Sequence, residues 1–140
     1  MTKSDNKIWD PLRKKWLVCT PEEEVRQWFI KLLNSQLQIP MHMMMSEVAM
    51  KFGEGIVKKD FRADILVYDR KLKPLMVVEC KRPDVKLSQD VVEQALKYNM
   101  VLGAPYIAIT NGRGTYVCHL EDGRFVFLEK VPAYLEMLQG

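Results

Sequence analysis

Two β-rich segments, Arg62 to Tyr68 and Leu75 to Lys81, are separated by a short Lys/Pro turn, and each carries charge where an apolar strand should end cleanly. Strand-forming runs bounded in this way predict a hairpin. Asp64 stands at the head of Ile65-Leu66-Val67, while Glu79 and Lys81 follow directly on Met76-Val77-Val78. Strand side chains alternate with a period of two, so Glu79 and Lys81 project to one face and Cys80 to the other. Pairing of the two strands brings Asp64 beside Glu79, and two carboxylates and an ammonium then share one pocket.

The rest of the chain supplies flanking helices and further strands. Thr20-Pro21-Glu22-Glu23 reads as a helix opening, with Thr20 as N-cap, Pro21 at the first helical position and Glu23 closing a capping box. Val25, Trp28, Phe29, Leu32 and Leu33 follow as one apolar stripe. Beyond Pro40 and the Met41 to Met45 cluster, whose methionines suit gap-filling in a core, Val48 to Phe52 reads as a strand ending at Gly53 and Gly55. Ser88 can cap a second helix through about Val101, with Val91, Ala95, Tyr98 and Leu102 at helical spacing. Strands over Tyr106–Thr110, Thr115–Leu120 and Arg124–Leu128 follow, joined by the Asn111-Gly112-Arg113-Gly114 and Glu121-Asp122-Gly123 turns, and Pro132 starts a terminal helix. This order predicts an α/β fold, a central mixed β-sheet flanked by helices in α-β-β-β-α-β order.

A length of 140 residues accommodates one domain spanning 1–140, with residues 1–19 as an arm that packs on the body through Ile8, Trp9, Trp16, Leu17 and Val18. No apolar run approaches the roughly 20 residues that span a bilayer, and the first residues lack the apolar region of a secretory signal. With three cysteines and no CxxC spacing, a reducing cytoplasm is the expected setting. Net charge is +3, too mild to identify a nucleic-acid binder. Arg13-Lys14-Lys15, Lys58-Lys59 and Lys81-Arg82 could contact phosphates or be solvated surface.

Close carboxylates repel and are costly to desolvate, so a cation between Asp64 and Glu79 is the natural remedy. Oxygen ligands favour Mg²⁺ or Mn²⁺ over zinc. Lys81 would neutralise developing charge or orient the attacking water at such a hydrolytic site. The same residues admit a structural reading, in which Asp64 and Lys81 form a salt bridge at a strand end and Glu79 is solvated. His42 has no second His or Cys at ligand spacing.

Arg62-Ala63-Asp64, then Glu79-Cys80-Lys81 after fourteen intervening residues, and Gln94-Ala95-Leu96-Lys97-Tyr98 resemble the PD-(D/E)XK nuclease superfamily, with its aspartate, ExK tripeptide and frequent QxxxY helix. More narrowly, Thr20 to Arg26, Val77 to Pro83, Gln94 to Asn99 and Thr110-Asn111-Gly112 resemble the N-terminal nuclease domain of type I restriction enzyme R subunits, over about residues 20–130. The resemblance implies a restriction-endonuclease-like core and a metal-dependent DNA endonuclease. Asp64 and Glu79 would be Mg²⁺ or Mn²⁺ ligands, the Cys80 carbonyl a third, and Lys81 the catalytic lysine. Gln94 would orient metal-bound water or a DNA phosphate, braced by Tyr98. Ala63 replaces the proline of the motif.

Many relatives add a first-helix glutamate to the metal site, a role assigned here to Glu22 because it shares a face with Val25, Arg26 and Phe29; Glu23 is the capping partner. Arg82, Lys58 and Lys59 are the candidate DNA contacts. The implied partners are DNA and motor and specificity subunits in trans, since no GxxxxGK[ST] phosphate loop occurs in this sequence. Cutting both strands of a duplex calls for a homodimer or two cutting events. The alternative is a catalytically silent nuclease-like module that binds DNA or a partner.

Overall fold

In the computed structural model, residues 3–4, 6–52, 59–100 and 102–140 are described. Gly53, Gly55, Lys58 and Val101 lie outside them, and Lys59 is described only as the opening residue of a strand. Helix α1, Pro21–Ser35, begins where the sequence places it: Thr20 Oγ1 accepts from the Glu23 N–H at 3.1 Å. The Glu23 carboxylate does not close the capping box, however. It turns to the Arg26 guanidinium (3.0 and 3.1 Å) and the Gln27 amide (2.9 Å), because a buried carboxylate gains more from a guanidinium than from one backbone N–H.

Val25, Phe29, Ile30 and Leu33 form the buried face of α1, and Trp28, expected in that stripe, is half-exposed. It stands beside Phe29 with ring centroids 5.7 Å apart, where its large ring is only partly covered. After a short 3-10 turn, Met41–Met43, strand β4 runs over Met44–Phe52, longer than expected. The methionine run is not uniformly core: Met44 is buried, Met45 is exposed as strand alternation from Met44 demands, and Met41, in the preceding turn, is exposed too.

Strands β5, Lys59–Tyr68, and β6, Pro74–Cys80, form the expected antiparallel hairpin, with Ile65 opposite Val78. Helix α2, Gln89–Met100, crosses over to β7, Tyr106–Thr110, which pairs parallel to β6 with Glu79 in register with Ile109. Strands β8, Thr115–Glu121, and β9, Arg124–Leu128, complete a six-stranded mixed sheet in the order β4-β5-β6-β7-β8-β9. The α-β-β-β-α-β order is present. Helix α3, Tyr134–Gln139, is tied to the sheet by the Tyr134 hydroxyl, which donates to the Tyr68 carbonyl at 2.8 Å.

The central strands are buried on both sides, which accounts for their near-continuous apolar runs. Ile65, Val67, Met76, Val78 and Cys80 face α1 and α3, while Ile107 and Ile109 meet Val92 and Ala95 of α2. On α2 the buried residues are Val92, Ala95 and Asn99; Val91 is partly exposed and Tyr98 exposed, so the apolar stripe expected there is turned by about one position. That rotation leaves the Val91–Gln94–Tyr98 side open to a cleft.

The amino-terminal residues build a second antiparallel sheet from β1, Lys3–Ser4, β2, Lys7–Asp10, and β3, Lys15–Val18. Asp10 is fully buried and accepts from Leu12 N–H at 2.8 Å and Ser46 Oγ of β4 at 3.0 Å, which fixes β2 against the larger sheet. Arg13, a candidate phosphate contact, is engaged by Asp10 and Glu23 instead. Among the described residues, no helix is long and apolar enough to cross a membrane.

Candidate active site

The carboxyl end of β6 is where charge replaces apolar side chains, because the alternation that buries Val77 carries Glu79 to the α2 side. Lys81, two residues on, follows it, and its Nζ lies 3.2 Å from Glu79 Oε2. The structural alternative of an Asp64–Lys81 salt bridge does not form: Lys81 pairs with Glu79, and Asp64 Oδ2 accepts from the Cys80 backbone N–H at 2.7 Å. Cys80 is buried on the opposite side, and burial pushes its thiol well above its ordinary range, so it stays protonated and inert.

Asp64 sits in β5 next to the buried run Ile65-Leu66-Val67. Burial raises its carboxyl to about 6; the Cys80 N–H and the Arg26 guanidinium pull it down, and Glu22 and Glu79 push it up again. Glu22 of α1, Asp64 and Glu79 thus form one negative neighbourhood at the end of β6. Arg26 stands beside Asp64, donating a long 3.4 Å bond to its carbonyl oxygen.

A cleft of about 500 Å³ opens beside this edge, with Glu79, Lys81, Val91, Gln94 and Tyr98 among its walls. Gln94 is exposed there, and the Tyr98 hydroxyl accepts from the Arg62 N–H at 3.3 Å, latching α2 to β5 two residues before Asp64. Asp64 does not line the cleft, so the one pocket expected for both carboxylates and the ammonium holds Glu79 and Lys81 without it; Asp64 is joined to β6 through the Cys80 N–H. The 81–85 loop is held from the other side, since Lys81 N–H donates to the Thr110 carbonyl at 2.8 Å and Asn111 Nδ2 to the Val85 carbonyl at 2.8 Å. Arg82 is exposed and paired with Asp84 at 3.2 Å.

The family described as Type I restriction enzyme R protein N terminus matches residues 21–132, most of the chain. The chain belongs to this family. Among solved structures, a fragment assigned to an HsdR subunit of a type I restriction enzyme from Vibrio vulnificus YJ016 shares the fold, with a TM-score of 0.62 at 23% identity over 84% of this chain. The chain spans 24% of that chain's length. A second structure, of SSO0001, is 13% identical over 84% of this chain and 54% of its own, at a TM-score of 0.37 too low to inform the argument. No curated protein matches.

For a member of the R-protein N-terminal family, the acidic edge bears on metal binding. The donors are hard oxygens, and the raised Asp64 carboxyl beside Glu22 and Glu79 is the situation a divalent cation relieves, so the residues fit Mg²⁺ or Mn²⁺. Among the described residues, no three His, Cys, Asp or Glu side chains already stand close enough to form a finished cage. Two residues that the motif spacing did not single out stand here: Arg26, 6% exposed, and Glu47, which accepts from Arg26 Nη1 at 2.6 Å and Arg62 Nη1 at 2.9 Å. A charged residue on the core face of α1 was the available sign of Arg26; nothing local marks Glu47.

Proposed function

We propose that this R-protein N-terminal domain is a metal-dependent DNA endonuclease domain that hydrolyses phosphodiester bonds. The observation that carries the reading is the convergence of Glu79 and Lys81 on one strand end, beside Asp64 and facing Gln94 across a common cleft. Asp64, Glu79, the Cys80 carbonyl and Glu22 would hold Mg²⁺ or Mn²⁺, which when bound polarises a phosphoryl oxygen and acidifies a water. Lys81, half-exposed at the cleft and paired with Glu79, would offer its ammonium to the scissile phosphate and offset developing charge. Gln94 orients the phosphate or the attacking water from α2. Tyr98 keeps α2 at the right height through its bond to β5.

DNA is the partner of this site, with Arg82, Lys58 and Lys59 as phosphate contacts, alongside the other subunits of a restriction-modification system. Plasmid nicking with Mg²⁺ or Mn²⁺ tests the reading: the native chain should nick and Lys81→Ala should not. Salt-dependent DNA binding with no metal-dependent turnover in the native chain would instead identify a silent binding module.

A further inference from the structure

Strand β4 contains a residue whose backbone does not belong in a strand. Glu47 has φ +54, the left-handed region that a non-glycine residue occupies only under strain. The β4–β5 register passes from Ser46 opposite Ile65 to Val48 opposite Ala63, and the pair between them, Glu47 and Asp64, does not form. At this gap Arg26 enters from α1. Its Nη1 donates to Glu47 Oε1 at 2.6 Å and to the Asp64 carbonyl at 3.4 Å, while its Nε and Nη2 clasp Glu23. The kink in β4 therefore coincides with the residue of β5 whose side chain turns to the Cys80 N–H.

We propose that the Arg26–Glu47 pair is the positioning device for Asp64: Glu47, held in its kink, anchors the guanidinium that fixes the Asp64 backbone and thereby aims its carboxylate at the end of β6. The inference rests on the reading of Asp64 as a metal ligand for its purpose, though not for its geometry. Neither residue touches the cleft, so both act through Asp64. Backbone strain kept opposite a candidate ligand, in a strand that would pair more regularly without it, is the pattern expected of a constraint retained for function. The guanidinium also places a positive charge near Asp64, countering Glu22 and Glu79.

Glu47→Gly accepts the same left-handed backbone and removes the carboxylate, so it isolates the part the carboxylate plays. In metal-free protein, the Cys80 amide, which donates to Asp64, reports on the aspartate by NMR shift and hydrogen exchange. Exchange at Cys80 should accelerate at least tenfold in E47G with the Val78 amide unchanged, and Mn²⁺ affinity measured by calorimetry should fall about tenfold. Glu47→Asn, which tolerates the same backbone conformation, carries the measurement if the glycine variant does not fold. An unchanged Cys80 amide overturns the inference, as does a loss of protection spread evenly over α1, β5 and β6, which would mark a purely structural pair. Should the native chain take up no Mn²⁺, the nuclease reading falls, while the Cys80 amide still decides whether Arg26 and Glu47 position Asp64.

Discussion

Asp64 Oδ2 and the Cys80 backbone N–H are joined by a 2.7 Å hydrogen bond across the β5–β6 hairpin. The bond ties the candidate ligand to the strand that carries Glu79 and Lys81. It also partly offsets the burial of the carboxylate, which nonetheless leaves Asp64 easier to protonate than an ordinary aspartate.

The first prediction follows from that protonation. The folded-state value of about 6 lies above the ordinary aspartate value of 3.8, so the proton is bound more tightly in the folded chain. The resulting stabilisation is fully present below about pH 4 and is lost as pH rises through 6, amounting to about 2–3 kcal/mol in metal-free protein. Urea unfolding at a series of pH values should show this loss in the native chain and not in Asp64→Asn. At pH 7.5 the metal-free variant should be the more stable of the two, yet inactive. A native chain whose stability rises between pH 4 and 7 relative to the variant would contradict the assignment.

Metal uptake should reverse the loss. Mn²⁺ at about 100 times its dissociation constant should stabilise the native chain by about 2.7 kcal/mol at pH 7.5, read as a rise in melting temperature, and should leave Asp64→Asn almost unmoved. Equal shifts in both proteins would place the cation elsewhere.

Lys81 and Gln94 should separate activity from stability. The Lys81–Glu79 pair is partly exposed, so its loss in Lys81→Ala should cost less than about 1 kcal/mol by thermal unfolding. Nicking should fall by about 100-fold or more. Gln94→Ala, on the exposed side of α2, should leave the melting temperature unchanged and lower nicking by about tenfold or more.

Tyr98→Phe tests the latch between α2 and β5. Loss of the hydroxyl that accepts from Arg62 N–H should cost about 1 kcal/mol. Faster hydrogen exchange at Arg62 should accompany it, with the β7 amides unaffected.

At the β7–β8 turn, Gly112 has φ +86, and a Cβ placed on it would lie 3.3 Å from Val25 Cγ2 of α1. Gly112→Val should therefore destabilise the fold by about 1–3 kcal/mol, through backbone strain and crowding together. Chemical unfolding measures this directly, and a neutral result would mean that the turn adapts without disturbing α1.

The β5–β6 hairpin, the Thr20 cap and the β8–β9 hairpin were legible in the sequence because each depends on residues near one another along the chain. Glu79 and Lys81 sharing a face follows from alternation alone, and so does the placing of Cys80 on the other. The partnership of Glu23 was not legible: capping spacing and a guanidinium one turn away compete for the same carboxylate, and burial decides between them. Trp28 and Tyr98 were placed in apolar stripes by periodicity. How far each helix is rotated against the sheet depends on what packs beside it, and that rotation exposes Tyr98 to the cleft.

What the amino-acid order alone determined is the set of elements and the chemical character of one strand end, since periodicity, caps and turns are local and the carboxylates and lysine stand at fixed offsets. Only the tertiary structure decided which groups bind one another there. Lys81 turned to Glu79, Asp64 to a backbone N–H, and Arg26 crossed from α1 to a kinked Glu47 in β4. Such choices are made by desolvation and by distances between segments far apart in the chain, and no local spacing encodes them.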